Sequence, residues 1–353
     1  MATKKKSIEL ATVIRDVVLE SRKTLKDDSL RVGTADYSSD VVWLPSLSPL
    51  LDWVLGSGLP LGRVIEISGD PSHGKSTLAL DMMVAVQRAG GIAGILDAER
   101  TWDRARAKAA GIVEEQLIYG EADTVERGFS TSLHYLKQFY QHPDLKDLPK
   151  ILVWDTLAHS QTEAEFSAEG DSEKIFKDGM MAKPRKIRSG LRLLTPHLFN
   201  AKTLMVFVNQ TIVHPTIYGA KKETPGPGLH FAASARLKVY KSGKFETTGG
   251  QQIGIRSTVE ATKNKMAPPG RSVEIPIHFL HGVDHIYELF DFAVKEMKGG
   301  PVTATPGGWY TIRWDQGEQK MRSSDVGGFF TDHPEVLNSL RKSVSDYLTS
   351  LSR

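Results

Sequence analysis

Short apolar runs alternate with helical segments through the middle of the chain. Strands are predicted at 63–68, 92–97, 151–155 and 204–210, and helices at 76–88 and 102–110. Strands that alternate with helices are typical of a parallel, doubly wound sheet that is covered on both faces. The runs at 237–240 and 253–261 predict further strands that extend the sheet with antiparallel pairs. The pattern therefore indicates an α/β fold.

The two ends of the chain have different patterns. Ser7 can cap an amphipathic helix over 7–24, and the polar stretch 26–40 is typical of a linker. A lone helix of this length is marginal in water, so its apolar stripe needs a surface on its own core or on a neighbouring subunit. Beyond residue 283 we expect a small α+β unit with a helix over 284–296, strands around 309–314 and a last helix. The predicted domains are 1–44, 45–282 and 283–353.

The segment 211–228 has neither a helical nor a strand period. It is rich in Pro and Gly and carries His214, Lys221 and Lys222. Long segments of this kind inside a compact core are usually functional or disordered.

Composition narrows the class of protein. Hydrophobic residues make up 40% and charged residues 25%, as in ordinary globular proteins. No apolar run approaches the roughly 20 residues that a membrane-spanning helix needs. The absence of cysteine excludes disulfides and thiol chemistry, and we expect a cytoplasmic protein. With 45 Lys and Arg against 42 Asp and Glu, bulk charge does not indicate a nucleic-acid partner, so local sites must supply that evidence.

The sharpest chemical signal fits the phosphate-binding pattern G-x-x-x-x-G-K-[ST]. It is the run Gly69, Asp70, Pro71, Ser72, His73, Gly74, Lys75 and Ser76, followed by Thr77. Glycines let successive N–H groups point at phosphate oxygens, and the next helix adds its positive end. We expect Lys75 to neutralise the β- and γ-phosphates and Ser76 to bind Mg²⁺. The alternative is a glycine turn beside a solvated lysine.

Polar side chains follow the neighbouring strands. Asp155 closes one strand, where it can hold the water shell of a metal ion or, alternatively, cap a helix. Glu99 and Asp97 compete on position alone for the group that orients or deprotonates water. Gln210 ends another strand, and its amide can hydrogen-bond a γ-phosphate, although a plain surface glutamine is the alternative.

Further segments follow one another in a fixed order along the chain, namely GSGLPLGRVIEISGDPSHGKSTL (56–78), ILDAER (95–100), ILVWDTLA (151–158), VFVNQ (206–210), PGPGLHFAASARL (225–237) and KNKMAPP (263–269). In order and spacing, these segments together resemble the RecA recombinase family. The resemblance covers about residues 45–350, and the segment 180–203 is more similar to relatives that large phages encode. It implies a RecA-type P-loop ATPase core with a doubly wound, mostly parallel sheet, an N-terminal polymerisation helix and a small α+β C-terminal domain.

The resemblance also implies roles at the nucleotide. Glu99 matches the glutamate that activates water, which decides against Asp97. Gln210 matches the glutamine that links the γ-phosphate to a DNA loop, and Asp155 matches the acid next to the metal. Arg100 stands where the family usually has a histidine.

Further matches concern the base and the subunit interface. Asp103 matches an acid that contacts adenine, whereas Arg106 replaces a common stacking tyrosine, which leaves base selectivity open. Lys263 and Lys265 match lysines that reach the ATP of the adjoining subunit. Phe231 matches an aromatic residue at the same interface.

The family pattern places two DNA-contacting loops at 163–173 and 211–228. The first is acidic here, so we expect it to contact the DNA backbone through N–H groups more than to attract phosphate. The second contributes Lys221 and Lys222. A basic run on a predicted helix is either a solvated face or part of the strand-binding channel, and it comprises Lys183, Arg185, Lys186, Arg188 and Arg192.

These matches imply a DNA-dependent ATPase that uses ATP and Mg²⁺. It is expected to form filaments on single-stranded DNA and to exchange strands with duplex DNA. Its expected setting is the cytoplasm of a bacterium or of a phage host, with loading factors and a single-strand-binding protein as partners and no membrane. Two other interpretations share the core fold, a nucleotide-regulated scaffold ATPase and a hexameric helicase. The C-terminal match and KNKMAPP favour the recombinase.

Overall fold

The computed structural model describes residues 2–26, 41–167, 182–213, 221–223, 227–247 and 249–351. The chain divides into two compact units, Met1–Asp40 and Val41–Arg353. The described part of the first unit is dominated by one helix, α1 (Ala2–Leu25), which confirms the predicted helix and begins five residues before it. Residues 27–40 of the predicted linker lie outside the described residues. Among the described helices, none is both long enough and apolar enough to cross a membrane.

The described residues of the second unit form three sheets. Their strands are β1 (Val42–Leu44), β2 (Leu59–Leu61), β3 (Val64–Gly69), β4 (Ile92–Asp97), β5 (Leu117–Glu121), β6 (Lys150–Asp155), β7 (Thr203–Val213), β8 (Lys221–Glu223), β9 (Ala235–Glu246), β10 (Gln252–Asn264), β11 (Ser272–His278), β12 (Gly282–Val283), β13 (Val302–Thr305), β14 (Trp309–Trp314) and β15 (Gly317–Arg322). The helices are α2 (Pro49–Leu55), α3 (Lys75–Arg88), α4 (Arg104–Ala110), α5 (Val125–Gln141), α6 (Glu163–Ser167), α7 (Ala182–Asn200), α8 (Pro227–Ala232), α9 (His285–Glu296), α10 (Val326–Asp332) and α11 (Pro334–Ser350).

The central sheet has the order β5-β4-β6-β7-β3-β9-β10-β11-β12, and β8 pairs with β7 beside this path. Every pair from β5 to β9 is parallel. The pairs from β9 to β12 are antiparallel. The predicted mostly parallel sheet with an antiparallel extension is therefore confirmed.

Helices cover both faces of this sheet, as a doubly wound fold requires. On one face, α3 packs Met82 and Val86 into the cluster that contains Ile67 and Val206. On the other face, α5 and α7 pack into a second cluster around Trp154 and Phe207. Because alternate strand residues point to opposite faces, the continuous apolar runs of the central strands supply both clusters.

Two sequence-based boundaries need correction. Helix α4 begins at Arg104 rather than at residue 102, because the Asp103 carboxylate accepts a hydrogen bond from the Arg106 backbone N–H and caps the helix. The segment 211–228 is not wholly without period. Strand β7 continues to Val213, β8 pairs with it, and α8 begins at Pro227.

The C-terminal elements pack on the core. Phe290, Ile312 and Val344, from α9, β14 and α11, belong to the same hydrophobic cluster as α3. The α+β character predicted for this region is confirmed by the three-stranded sheet β13-β14-β15 and its flanking helices. The domain boundaries at 44 and 282 stay predictions.

A buried ionic cluster joins α3 to α9. The two ring nitrogens of His285 contact Asp81 Oδ1 at 2.9 Å and Glu288 Oε2 at 3.2 Å. Ser48, at the start of α2, donates its hydroxyl to the other oxygen of Glu288. Burial alone lowers the pKa of His285, but the two carboxylates outweigh burial and raise it to about 10. The imidazolium is therefore the charge that makes two buried carboxylates acceptable at this contact.

Candidate nucleotide-binding site

The loop between β3 and α3 has little room for side chains at its glycines. A Cβ on Gly69 would lie 2.1 Å from the Val239 carbonyl oxygen, and Gly74 has a φ of +94°. The Ser257 hydroxyl donates to the His73 carbonyl at 2.9 Å and fixes the loop from the outside. Between these points Pro71 and Ser72 are exposed. The loop is therefore a compact backbone turn whose tip is open to a ligand.

Lys75 opens α3 and bends back over this loop. Its Nζ donates to the Asp70 carbonyl at 2.8 Å, and the side chain is buried. Burial lowers the pKa of Lys75, while Asp155, Glu99 and Asp70 oppose this shift. The structure thus places a cation, surrounded by carboxylates, at the loop where phosphate is expected.

Ser76 and Asp155 form a pair of oxygen donors beside Lys75. The Ser76 hydroxyl hydrogen-bonds to the Asp155 carboxylate, and burial raises the pKa of Asp155 to about 6. Hydroxyl and carboxylate oxygens at a phosphate site are the ligands that Mg²⁺ prefers. The donor set therefore fits the predicted metal site, and a helix-capping role is not needed to explain Asp155.

Glu99 lies where the ends of three parallel strands meet. Its Oε1 accepts hydrogen bonds from Thr156 Oγ1 at 2.8 Å and from Gln210 Nε2 at 3.0 Å. His159 Nδ1 lies 3.0 Å from the same oxygen. The structure thus brings two separately predicted site residues, Glu99 and Gln210, into direct contact.

Gln210 is held in turn by a buried network. Its backbone N–H donates to Asn209 Oδ1 at 3.0 Å, and Asn209 donates its side-chain amide to Glu66 at 2.8 Å. Glu66 also pairs with Arg236, and both are almost fully buried. This network ties the end of β7 to β3 and β9.

Asp97 makes contacts of a different kind from those of Glu99. Its carboxylate accepts hydrogen bonds from the Trp102 and Thr101 backbone N–H groups at 2.9 and 3.3 Å, and from the Tyr119 hydroxyl at 3.3 Å. With a relative exposure of 2%, it shapes the turn before α4. These contacts favour Glu99 as the group that meets water.

A cavity of about 220 Å³ continues from Ser76 and Asp155 toward α4. Asp103 and Arg106 line its far end, where the nucleotide base is expected. Arg106 donates to the Thr77 hydroxyl, so its guanidinium is fixed against the start of α3. Asp103 caps α4 and still faces the cavity.

Lys263, Lys265 and Phe231 form a second cluster at the end of β10. Lys263 Nζ donates to the His230 and Phe231 carbonyls at 2.5 and 3.2 Å, and Lys265 Nζ donates to the Phe231 carbonyl at 3.2 Å. The Phe231 side chain is 72% exposed. Both lysines thus cap the last carbonyls of α8 beside a large exposed aromatic ring.

The predicted DNA-binding residues are placed differently from one another. Lys183 Nζ donates to the Ala158 carbonyl at 2.6 Å, and burial lowers its pKa. Lys186 pairs with Glu126 at 2.5 Å. Arg185 is exposed, as are two further arginines of α7, Arg188 and Arg192. Lys221 and Lys222 lie on β8, and the described structure does not extend to their side chains. Most of the loop 163–173 lies outside the described residues.

Sequence reasoning missed two side chains at Glu99. Thr156 and His159 follow Asp155 directly in the turn after β6, and both contact the Glu99 carboxylate. Parallel strands bring their carboxyl ends to one edge of the sheet, so polar residues just after each strand were the available signal.

The phosphate loop after β3, the Ser76–Asp155 pair and the acid beyond β4 define the class of protein, a P-loop nucleotide-binding ATPase. The family model of the RecA N-terminal domain matches residues 13–284 of this chain. Protein RecA of Thermus thermophilus is 33% identical over 307 residues, which cover 85% of this chain and 84% of the relative. Protein RecA of Amycolatopsis mediterranei is 32% identical over 98% of this chain and 92% of the relative. Protein RecA of Syntrophus aciditrophicus is 31% identical over 90% of this chain and 88% of the relative.

The chain belongs to the RecA family. It is therefore a DNA-dependent ATP hydrolase of the recombinase type, which acts in DNA recombination and repair. This confirms the family, the fold class and the activity inferred from the motifs, and it favours the recombinase over a scaffold ATPase or a helicase.

Proposed function

We propose that this chain binds ATP at residues 69–77 and hydrolyses it with Glu99 as the group that activates water. The observation that carries this proposal is the convergence of Lys75, Glu99 and Gln210 at one edge of the sheet. Lys75 balances the charge of the β- and γ-phosphates. Gln210 leaves Glu99 when a γ-phosphate accepts its amide, so the same side chain registers whether ATP or ADP is bound.

Ser76 and Asp155 would hold a Mg²⁺ ion, partly through water. When bound, the ion neutralises charge that develops on the phosphate oxygens. Asp103 and Arg106 would contact the base at the far end of the cavity. Because a guanidinium can stack on any base, this end of the site gives weaker selection than a shaped hydrogen-bonding pocket.

The active ATPase is shared between subunits of a helical filament in this proposal. Lys263 and Lys265 reach the nucleotide of the neighbouring subunit, and Phe231 packs at the same junction. The exposure of Phe231, with both ammonium groups beside it, supports an interface at this position. A lone subunit then has an incomplete set of cations for the transition state.

DNA would bind along α7 and the loops 163–173 and 211–228. Among the basic residues of α7, Lys183 and Lys186 have partners in their own subunit, whereas Arg185, Arg188 and Arg192 share the exposed face. These arginines neutralise DNA phosphates, and Lys221 and Lys222 add charge from β8. Base pairing between strands supplies the sequence choice.

Membership of the family supports a proposal for the cellular setting. We propose action on single-stranded and duplex DNA in the cytoplasm of a bacterium or of a phage host, with a single-strand-binding protein and loading factors. The domain divisions at 44 and 282 belong to the same proposal, with the N-terminal helix serving polymerisation.

A combined ATPase and strand-exchange assay tests the proposed function. The parent protein should hydrolyse ATP faster with single-stranded DNA and exchange strands with a homologous duplex. Glu99→Gln should bind ATP and DNA but hydrolyse at least about 100-fold more slowly. Substituting the three exposed arginines of α7 by Gln should weaken DNA binding and reduce its salt dependence, without change in nucleotide affinity. DNA-independent hydrolysis, or unwinding of a forked duplex without exchange, would contradict the proposal.

A further inference from the structure

One oxygen of Glu99 receives three polar contacts. Thr156 Oγ1 and Gln210 Nε2 donate to Oε1 at 2.8 and 3.0 Å, and His159 Nδ1 lies 3.0 Å away. His159 Nδ1 is also 3.3 Å from Thr156 Oγ1. Since the threonine proton points to Glu99, Thr156 Oγ1 accepts the hydrogen bond from His159 Nδ1. The imidazole therefore holds the Thr156 hydroxyl that donates to the carboxylate, and it lies against Oε1 itself.

The backbone around His159 is fixed on both sides. Lys183 donates to the Ala158 carbonyl at 2.6 Å, and the Ser160 hydroxyl donates to the Ala122 carbonyl at 2.6 Å. Trp154 donates its ring N–H to the Ser160 hydroxyl at 3.0 Å, inside the core. The ring of His159 remains 55% exposed, so burial does not hold it in place. The turn presents the imidazole to Glu99.

The three side chains that contact Glu99 behave differently when ATP binds. In the proposed function, Gln210 turns to the γ-phosphate and releases Glu99. Thr156 and His159 then remain to fix the carboxylate, and the charged groups that face it are Lys75 and Asp155. A carboxylate held at Oε1 keeps Oε2 available for the attacking water, and a general base works only when it is held in that geometry.

We propose that His159 is a positioning residue for Glu99 in ATP hydrolysis. The proposal rests on the proposed role of Glu99 and extends it to a side chain outside the phosphate loop. His159 touches neither nucleotide nor DNA in this role. It acts through its hydrogen bond to Thr156 and its close contact with Oε1, and it keeps the carboxylate oriented after Gln210 has left.

The test compares His159→Ala with His159→Asn by steady-state ATP hydrolysis on single-stranded DNA. Alanine should lower kcat roughly tenfold, because Glu99 loses a fixed orientation, and leave the ATP dissociation constant within about twofold. Asparagine should restore most of kcat, since its amide nitrogen is as many bonds from the backbone as Nδ1 of histidine. His134→Ala, at an exposed position of α5, is the matched control.

A double variant separates this inference from the proposed function. If His159 acts through Glu99, His159→Ala should have no further effect on hydrolysis in the Glu99→Gln background. A parental kcat in His159→Ala, with hydrolysis still at least about 100-fold slower in Glu99→Gln, overturns the role of His159 and leaves the proposed function intact. A tenfold loss that persists in the Glu99→Gln background also overturns it. Parental hydrolysis by Glu99→Gln alone would contradict both the role of His159 and the proposed function.

Discussion

The contact between α3 and α9 should depend on the charge of His285. Replacing His285 by Gln removes the imidazolium and leaves Asp81 and Glu288 buried without a cation. Removal of one partner of a buried ion pair costs about 4 kcal/mol of unfolding free energy. At about 2 °C per kcal/mol for a unit of this size, the melting temperature at pH 7 should fall by roughly 8 °C.

The pH dependence gives the sharper test. Because the pKa of His285 is raised to about 10 in the folded state, against about 6.5 in the unfolded chain, folding takes up a proton between these values. The contribution of His285 to the free energy of unfolding is complete below about pH 6.5 and is lost as the pH rises through about 10. Thermal unfolding, followed by circular dichroism at pH 7 and pH 10, should show a gap between parent and His285→Gln that nearly closes at pH 10.

The control for this experiment is His134→Gln, because His134 is an exposed histidine on α5. It should match the parent at both pH values. An equal gap at pH 7 and pH 10 would refute the imidazolium argument and attribute the loss to packing. No gap at pH 7 would refute the ion-pair argument itself.

Three further predictions concern the proposed ATPase. Lys75→Ala should raise the ATP dissociation constant at least about 100-fold in a filter-binding assay, because the phosphates lose their main cation; strand exchange by this variant would contradict the site. Gly69→Ala should also lose ATP binding, since its Cβ would meet the Val239 carbonyl at 2.1 Å, and parental affinity would refute this account. A Lys263→Ala, Lys265→Ala double variant should bind ATP normally yet lose DNA-stimulated hydrolysis. Mixing it with excess Lys75→Ala should restore some turnover if the two halves of a site come from different subunits.

The sequence predicted the strands of the parallel sheet well, because fully buried strands give continuous apolar runs. The run 92–97 is strand β4, and 151–155 differs from β6 by one residue. The phosphate loop was equally clear, since its chemistry depends on backbone shape and a fixed spacing. Strand β5 was missed because Tyr119 and its neighbours are partly exposed at the sheet edge and show no clear run.

The contacts of individual side chains could not be predicted from the sequence. Nothing in the one-dimensional pattern distinguishes Lys183 from Arg185, yet one is anchored on a carbonyl and the other is exposed. The same holds for His159, which lies 60 positions from Glu99 and meets it only because β4 and β6 are adjacent. Contacts of this kind depend on sheet order, which local periodicity does not specify.

The position of Lys263 and Lys265 has a consequence for assembly kinetics. In one subunit both ammonium groups are occupied by the α8 carbonyls, so on the proposed role they must exchange those bonds for a neighbour's phosphates. Every new junction makes this exchange, so each subunit addition includes a step in which these hydrogen bonds break. On the proposed role, the rate of filament growth should be limited by this step as well as by collision.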